Sequence, residues 1–230
     1  MLNYGLSEGI NLAGVTTSYV YVGAWKSMFC WHKEDMDLYS VNYLHAGASK
    51  YWYSIDVDCN EAFENYVNSL FPEKVRLCKE FLRHKMTMIH PENLLERGIR
   101  MRKVVHKPRE FVISRAAGYH SGFNSGFNIA EAVNFALLPW ISIAHKAKPC
   151  LCIADSVRLD IGQFKLTLFY KSMDNKLPIT IPADLFAELK KHSEKFFSST
   201  EEVKDYCLSA KNNAGGSRAM IMNSSRSGFT

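Results

Sequence analysis

The chain has 230 residues, of which 47% are hydrophobic and 13% aromatic, and a formal net charge of +5. That length suits one domain, or one domain with an appendage, and the apolar content excludes a wholly unstructured chain. The charge mildly favours an acidic partner, but no long Lys/Arg run is present and the basic clusters Arg83-His84-Lys85 and Arg100-Met101-Arg102-Lys103 are short, so direct DNA binding is not supported.

Residues 1–13 lack a basic start followed by an apolar run, and no stretch approaches the roughly 18 apolar residues of a membrane span. A soluble intracellular chain without a membrane segment is expected. Its six cysteines, Cys30, Cys59, Cys78, Cys150, Cys152 and Cys207, are then expected to be reduced or metal-bound. Residues 19–31 read as strand-rich. Further strands are predicted at 38–44 and 50–57, joined by a hairpin through 45–49. At 60–70 the period changes, and Ala62, Phe63, Tyr66, Val67 and Leu70 fall on one helical face. A second helix is predicted over 73–83, and a short one after Pro91 stops near Gly98. Strands return at 103–106, 110–115 and about 126–135, with weaker strand signals at 140–143 and 165–170. The duplication Gly122-Phe123-Asn124 and Gly126-Phe127-Asn128 reads as turn chemistry. From Pro182 the chain turns helical, and Ser199-Thr200-Glu201-Glu202 forms a capping box for the last helix. Strands first, intruding helices, then strands again predict an antiparallel β core with a helical insertion rather than a βαβ fold.

Chemistry concentrates in residues 31–47, where His32, Glu34, Asp35, Asp37 and His45 lie among aromatic and apolar residues. In an extended chain His32 and Glu34 point to the same side and Lys33 points away. Two readings compete: an exposed polar strand face, or two ligands to one metal. His120, in Ala117-Gly118-Tyr119-His120-Ser121-Gly122, is the candidate third ligand. Two histidines and a carboxylate on one face of a metal make the facial triad of non-haem Fe(II) oxygenases. Asp35, Asp37 and His45 are read as solvated or structural. Cys78, His84, Cys150 and Cys152 have the composition of a closed zinc site, although scattered core cysteines are the competing reading. Cys78 and His84 are too far apart to share one face of a helix, so the helix is expected to end between them.

The run Trp-His-Lys-Glu-Asp-Met-Asp-Leu-Tyr-Ser-Val-Asn-Tyr-Leu-His at 31–45 resembles the iron-binding segment of the Jumonji C histone lysine demethylases. The similarity is greatest to the subfamily acting on trimethylated lysine of the histone H3 tail. Gly118 to Asn124 with Gly126 to Glu131 resembles that subfamily's distal-histidine segment, and Phe81 to Thr87 resembles a third segment between them. The match runs from about Gly14 to Cys152 and is absent beyond about 180.

This resemblance implies a double-stranded β-helix of the jelly-roll, cupin-like type, followed by C-terminal helices. It implies Fe(II) held by His32, Glu34 and His120, and 2-oxoglutarate as co-substrate. Lys50 takes the place of the cation for the far carboxylate of that acid, Asn42 that of its hydrogen-bonding partner, and Phe29 and Trp52 those of the apolar walls. Gly14, Tyr19, Tyr21, Glu34 and Asn134 match the methyl-lysine pocket. Cys78, His84, Cys150 and Cys152 match a structural zinc site. The implied reaction is oxidative demethylation of methylated lysine in histone H3, with release of formaldehyde, succinate and CO2. Chromatin as partner and a nuclear location go with it. The expected organisation is a Jumonji C domain over 1–155, a C-terminal extension over 156–208 and a disordered tail over 209–230. Family members carry a Jumonji N segment and an early strand region with a co-substrate tyrosine ahead of the iron site. Nothing here matches either, so the core is expected to be N-terminally incomplete. Two functional classes follow: a demethylase, or a catalytically impaired Jumonji C module that binds chromatin.

Overall fold

A computed structural model describes residues 2–6, 12–153, 156–174 and 176–213. The chain divides into two compact units, residues 13–157 and residues 1–12 with 158–230. In chain order the first elements are α1 (Leu2–Gly5), β1 (Tyr19–Gly23), β2 (Met28–His32), β3 (Tyr39–Gly47), β4 (Lys50–Ile55), α2 (Asn60–Leu70), α3 (Pro72–Leu77) and α4 (Pro91–Leu95). There follow β5 (Met101–His106), β6 (Phe111–Ser114), β7 (His120–Asn124), β8 (Asn128–Phe135), α5 (Trp140–Ala144), α6 (Ile161–Met173), α7 (Ala183–Ser193) and α8 (Thr200–Asn213).

The larger unit holds two four-stranded sheets, β1-β8-β3-β6 and β2-β7-β4-β5, antiparallel at every pairing. Successive strands alternate between the sheets, except that β4 and β5, on either side of the helical insertion, share one. This is the wiring of a double-stranded β-helix of the jelly-roll type. Residue alternation decides which side chains face inward. On β3, Ser40, Asn42 and Leu44 are buried while Tyr39, Val41 and Tyr43 are only half-buried. The turn after β3 needs Gly47, whose φ is +96° and whose added Cβ would strike the Phe127 carbonyl.

The insertion between β4 and β5 comprises α2, α3, a 3-10 turn at Phe81–His84, and α4. It forms a core with the outward side of β2, with Ile55 at the end of β4 and with Tyr119 just before β7. Trp31, Phe63, Val67, Phe81, Leu94, Ile99 and Tyr119 are all buried in that cluster. The Trp31 indole donates to the Ile89 carbonyl at 2.9 Å. α4 closes with Gly98 at φ +71°, whose N–H bonds the Leu95 carbonyl at 2.9 Å.

The hairpin expected through 45–49 does not form, because β3 and β4 join different sheets and pair with β6 and β8, and with β5 and β7, respectively. Three further predicted elements differ. The helix expected over 73–83 stops at Leu77, because Cys78 is extended (φ −154°, ψ 115°) and a 3-10 turn follows. Residues 140–143 are helical, with Trp140, Ile141 and Ala144 buried at helical spacing. Residues 165–170 lie inside α6, where Phe164, Leu166, Leu168 and Phe169 are all buried. A helix buried on nearly every side loses its periodic signal and reads as a short apolar strand. In the smaller unit α6 packs with α1, α7 and α8, and the Asp160 carboxylate caps α6 by accepting from Gln163 N–H at 2.9 Å. The predicted cap of α8 is present, with Ser199 Oγ accepting from Glu202 N–H at 3.3 Å. α8 continues to Asn213, and residues 214–230 of the expected tail lie outside the described residues. Among the described residues no helix is long and apolar enough to cross a membrane.

Phe63 is fully buried, and its ring lies 5.6 Å from that of Trp31 and 4.7 Å from that of Tyr119. Phe63→Ala is expected to cost about 3–5 kcal/mol in urea unfolding. A loss below about 1 kcal/mol would show that the insertion and the β core do not share this packing.

Candidate functional site

The site is built where β2 runs beside β7. His32 and His120 are direct cross-strand partners, and the register between the strands shifts between Phe29 and His32. Beyond β2 the chain stays extended through Glu34 (φ −63°, ψ 155°) before the 3-10 turn at Asp35–Asp37. His32, Glu34 and His120 therefore converge. One ligand atom from each lies within 4.8 Å of the others. The His120 Nε2 is 3.4 Å from Glu34 Oε1, and the two imidazole centroids are 4.4 Å apart.

Backbone carbonyls set the imidazole tautomers. His32 Nδ1 lies 2.6 Å from the Cys30 carbonyl, and His120 Nδ1 lies 3.2 Å from the Gly118 carbonyl. A carbonyl only accepts, so each Nδ1 carries a proton and Nε2 is the nitrogen left to face a metal. Burial and the neighbouring His120 pull His32 down to about 3, which keeps it neutral. Burial raises the Glu34 carboxyl, but its hydrogen bond and charge interaction with His120 outweigh that and hold it below the usual carboxylate range. Two imidazoles and one carboxylate, largely shielded from water, are the donor set of a divalent transition-metal site. Asn134 Nδ2 donates to Glu34 Oε2 at 3.3 Å, and Arg83 Nη1 donates to the Glu34 carbonyl at 3.0 Å.

The four residues singled out for the keto acid lie in the same unit. Lys50 is 6% exposed, and its Nζ donates to Asn124 Oδ1 at 2.6 Å. Burial pulls its ammonium down to about 8. Phe29 and Trp52 form a wall with centroids 4.6 Å apart, and the Trp52 ring lies 5.8 Å from His120. Gly122 lets Phe29 lie close, since an added Cβ would collide with the Phe29 ring. Asn42 is buried, and its Oδ1 has no hydrogen-bond partner among the described residues. An unmet buried acceptor of this kind is costly unless a ligand satisfies it.

Residues matched to the methyl-lysine pocket are also linked. Asn134 N–H bonds the Gly14 carbonyl at 2.7 Å, and Gly14, at φ +77°, leaves no room for a Cβ beside the Tyr19 ring. The Tyr19 and Tyr21 rings meet edge-on at 6.2 Å. Burial and then the Glu34 carboxylate raise the Tyr21 hydroxyl, placing that phenol within electrostatic reach of the metal face.

Cys78, His84, Cys150 and Cys152 form a second cluster, with ligand atoms within 4.8 Å of one another. Cys78 Sγ and Cys150 Sγ are 3.7 Å apart, far longer than a disulfide. Two thiolates at about 2.3 Å from a tetrahedral zinc are about 3.8 Å apart, so this spacing fits the metal. His84 Nε2 lies 3.2 Å from Cys150 Sγ.

Some contributors escape a reading of the sequence. Asn124 and Asn128 sit in the duplicated Gly-Phe-Asn unit, yet both turn inward, and Asn128 Nδ2 donates to Asn124 Oδ1 at 2.9 Å. His106, buried and unassigned from sequence, accepts from Trp52 Nε1 at 3.3 Å and passes its other N–H to the Glu110 carbonyl at 2.7 Å. Nothing but an inward-facing position on β5, β7 or β8 marks these residues.

Residues 19–135 match the family model described as "JmjC domain, hydroxylase". The chain belongs to the JmjC family. Over 156 residues, 68% of this chain, it is 45% identical to Lysine-specific demethylase 4B of Mus musculus and 46% identical to Lysine-specific demethylase 4D of Rattus norvegicus. It is 43% identical over the same length to Probable lysine-specific demethylase 4F of Homo sapiens. The match covers 14%, 31% and 24% of those three relatives' own lengths. The two-sheet unit is thus the JmjC β-helix, and His32, Glu34 and His120 converge within the unit that the family model matches.

Proposed function

We propose that this JmjC chain is the catalytic core of an Fe(II)- and 2-oxoglutarate-dependent demethylase acting on methylated lysine of histone H3. The observation that carries the reading is the convergence of His32, Glu34 and His120 within 4.8 Å, in a unit that also buries Lys50 without a carboxylate partner among the described residues. Bound Fe(II) would supply, with 2-oxoglutarate and O2, the oxidation of an N-methyl group, which would leave as formaldehyde while 2-oxoglutarate becomes succinate and CO2. The protein's part is placement. His32, Glu34 and His120 would hold the metal. Lys50 takes the far carboxylate of the keto acid, Asn42 hydrogen-bonds it, and Phe29 and Trp52 keep water away. Gly14, Tyr19, Tyr21 and Asn134 receive the lysine head beside Glu34. Chromatin is the setting in which such a substrate is met, and the nucleus the compartment.

The test is release of formaldehyde from a trimethyl-lysine H3 peptide by purified protein with Fe(II), ascorbate and 2-oxoglutarate. His32→Ala is expected to lower turnover by at least about a thousandfold, as loss of a metal ligand removes the oxidant altogether. Persistent activity would sink the iron assignment. No product from the parent chain, with peptide binding retained, would establish the impaired chromatin-binding module instead.

Lys50 gives a pH signature. Its charged form binds the carboxylate, and that form is lost as pH rises through about 8. Affinity for 2-oxoglutarate, measured with Mn(II) in place of iron, is expected to fall towards about tenfold per pH unit above that point. Lys50→Met should bind weakly at every pH and lose the trend. A flat profile for the parent would exclude Lys50 as the carboxylate partner.

We also propose that Cys78, His84, Cys150 and Cys152 hold a structural zinc that ties the insertion to the chain after α5. Purified protein should carry about one zinc per chain by elemental analysis. Cys150→Ser should lose it and melt at lower temperature, and a variant that keeps its zinc would sink this assignment.

A further inference from the structure

Residues next to the metal ligands in sequence line another cavity. Lys33 lies between His32 and Glu34, and Tyr119 precedes His120, yet both side chains border a separate space of about 210 Å³. Its lining carries five cations: Lys33, Lys79, Arg83, Lys146 and Lys148. It carries three carboxylates, those of Asp37, Glu64 and Glu80.

Two of the carboxylates are already engaged. Asp37 accepts from Arg83 Nη2 at 2.6 Å and lies 3.9 Å from Lys33 Nζ. Glu64 accepts from the Tyr119 hydroxyl at 2.8 Å and from Lys33 at 3.3 Å. Glu80 is held more loosely, in an ion pair with Arg83 at 3.7 Å from Nε, beyond hydrogen-bond reach. Arg83 is 7% exposed, and its Nε has no hydrogen-bond partner among the described residues. Lys79, Lys146 and Lys148 are exposed at the rim, and among the described residues none is paired with a carboxylate. A concave site with a buried guanidinium donor unmet and a surplus of positive charge favours an oxyanion.

We propose that this cavity binds a small, multiply charged oxyanion of the phosphate class. Lys79, Lys146 and Lys148 grip it at the rim, and Arg83 meets it from the wall. The site is distinct from the metal face and needs neither iron nor keto acid. Arg83 nevertheless joins the two, since it also bonds the Glu34 carbonyl at 3.0 Å.

The test titrates inorganic phosphate into the 230-residue chain, against sodium chloride at matched ionic strength, by calorimetry and thermal melting. Saturable binding with a rise in melting temperature over the chloride control is expected. The double variant Lys146→Ala with Lys148→Ala should weaken phosphate binding about tenfold, and Lys79→Ala should weaken it separately. These lysines are exposed, so a parent-like melt without phosphate shows that the variants fold. Lys190→Ala with Lys191→Ala, in the other unit, should leave binding unchanged. Phosphate acting no differently from chloride would overturn the proposal, as would rim variants that bind like the parent.

Discussion

The pairing of β2 with β7 is the constraint on which the site depends. Phe29 is opposite Gly122 and His32 is opposite His120. Three residue steps on β2 therefore span two on β7, which is a β-bulge. In a regular strand, Phe29 and His32 would point to opposite faces. The extra residue re-aims the strand so that the pocket wall and the metal-facing imidazole share one side. Trp31 is then released to the insertion, where it is 1% exposed. A hydrophobic anchor and a polar ligand sit next to each other in sequence and on opposite sides of the sheet.

The electrostatics of the interior follow from that packing. His32 is held neutral and Glu34 ionised. Burial suits the neutral imidazole but not the carboxylate, whose charge is costly there unless a positive charge is held beside it. Lys50 is the complementary case, a buried cation whose hydrogen bond goes to the neutral Asn124 amide. The unmet Asn42 oxygen adds a further unsatisfied group. An interior that leaves a donor set, a cation and an acceptor open together is organised around ligands rather than for stability alone. That is the physical content of the proposed iron and keto-acid sites.

What was legible in the sequence was local. His32 and Glu34 declare themselves because an extended i, i+2 pair shares a face. Helix α2 declares itself through its apolar stripe, and α8 through Ser199. What was hidden depends on surroundings. α6 looked like a strand because burial on nearly all sides erases the helical period. The break at Cys78 has no glycine or proline to mark its position, so only the spacing to His84 signals it, while the zinc-like composition of Cys78, His84, Cys150 and Cys152 is legible but competes with scattered core cysteines until the fold brings them together. Asn124 was masked by its repeat, since Gly-Phe-Asn resembles turn chemistry while its amide points to Lys50. Arg83 sits in a short basic cluster whose composition says nothing of burial. In the structure it is buried against Asp37 and the Glu34 carbonyl.

Arg83 shows why the two faces of this strand pair are not independent. A buried guanidinium is held by every acceptor it can reach, and here those are the Asp37 carboxylate and the backbone one bond from a proposed iron ligand. An oxyanion drawing on the same guanidinium competes with Asp37 for it. The position of Glu34 then depends on charges that lie on the other side of the chain from the metal. Lys33 strengthens that dependence, because it spans Asp37 and Glu64 from the residue between His32 and Glu34. The alternation that separates metal ligands from cavity lining thus also couples them, through a backbone too short to absorb a shift on one face without moving the other.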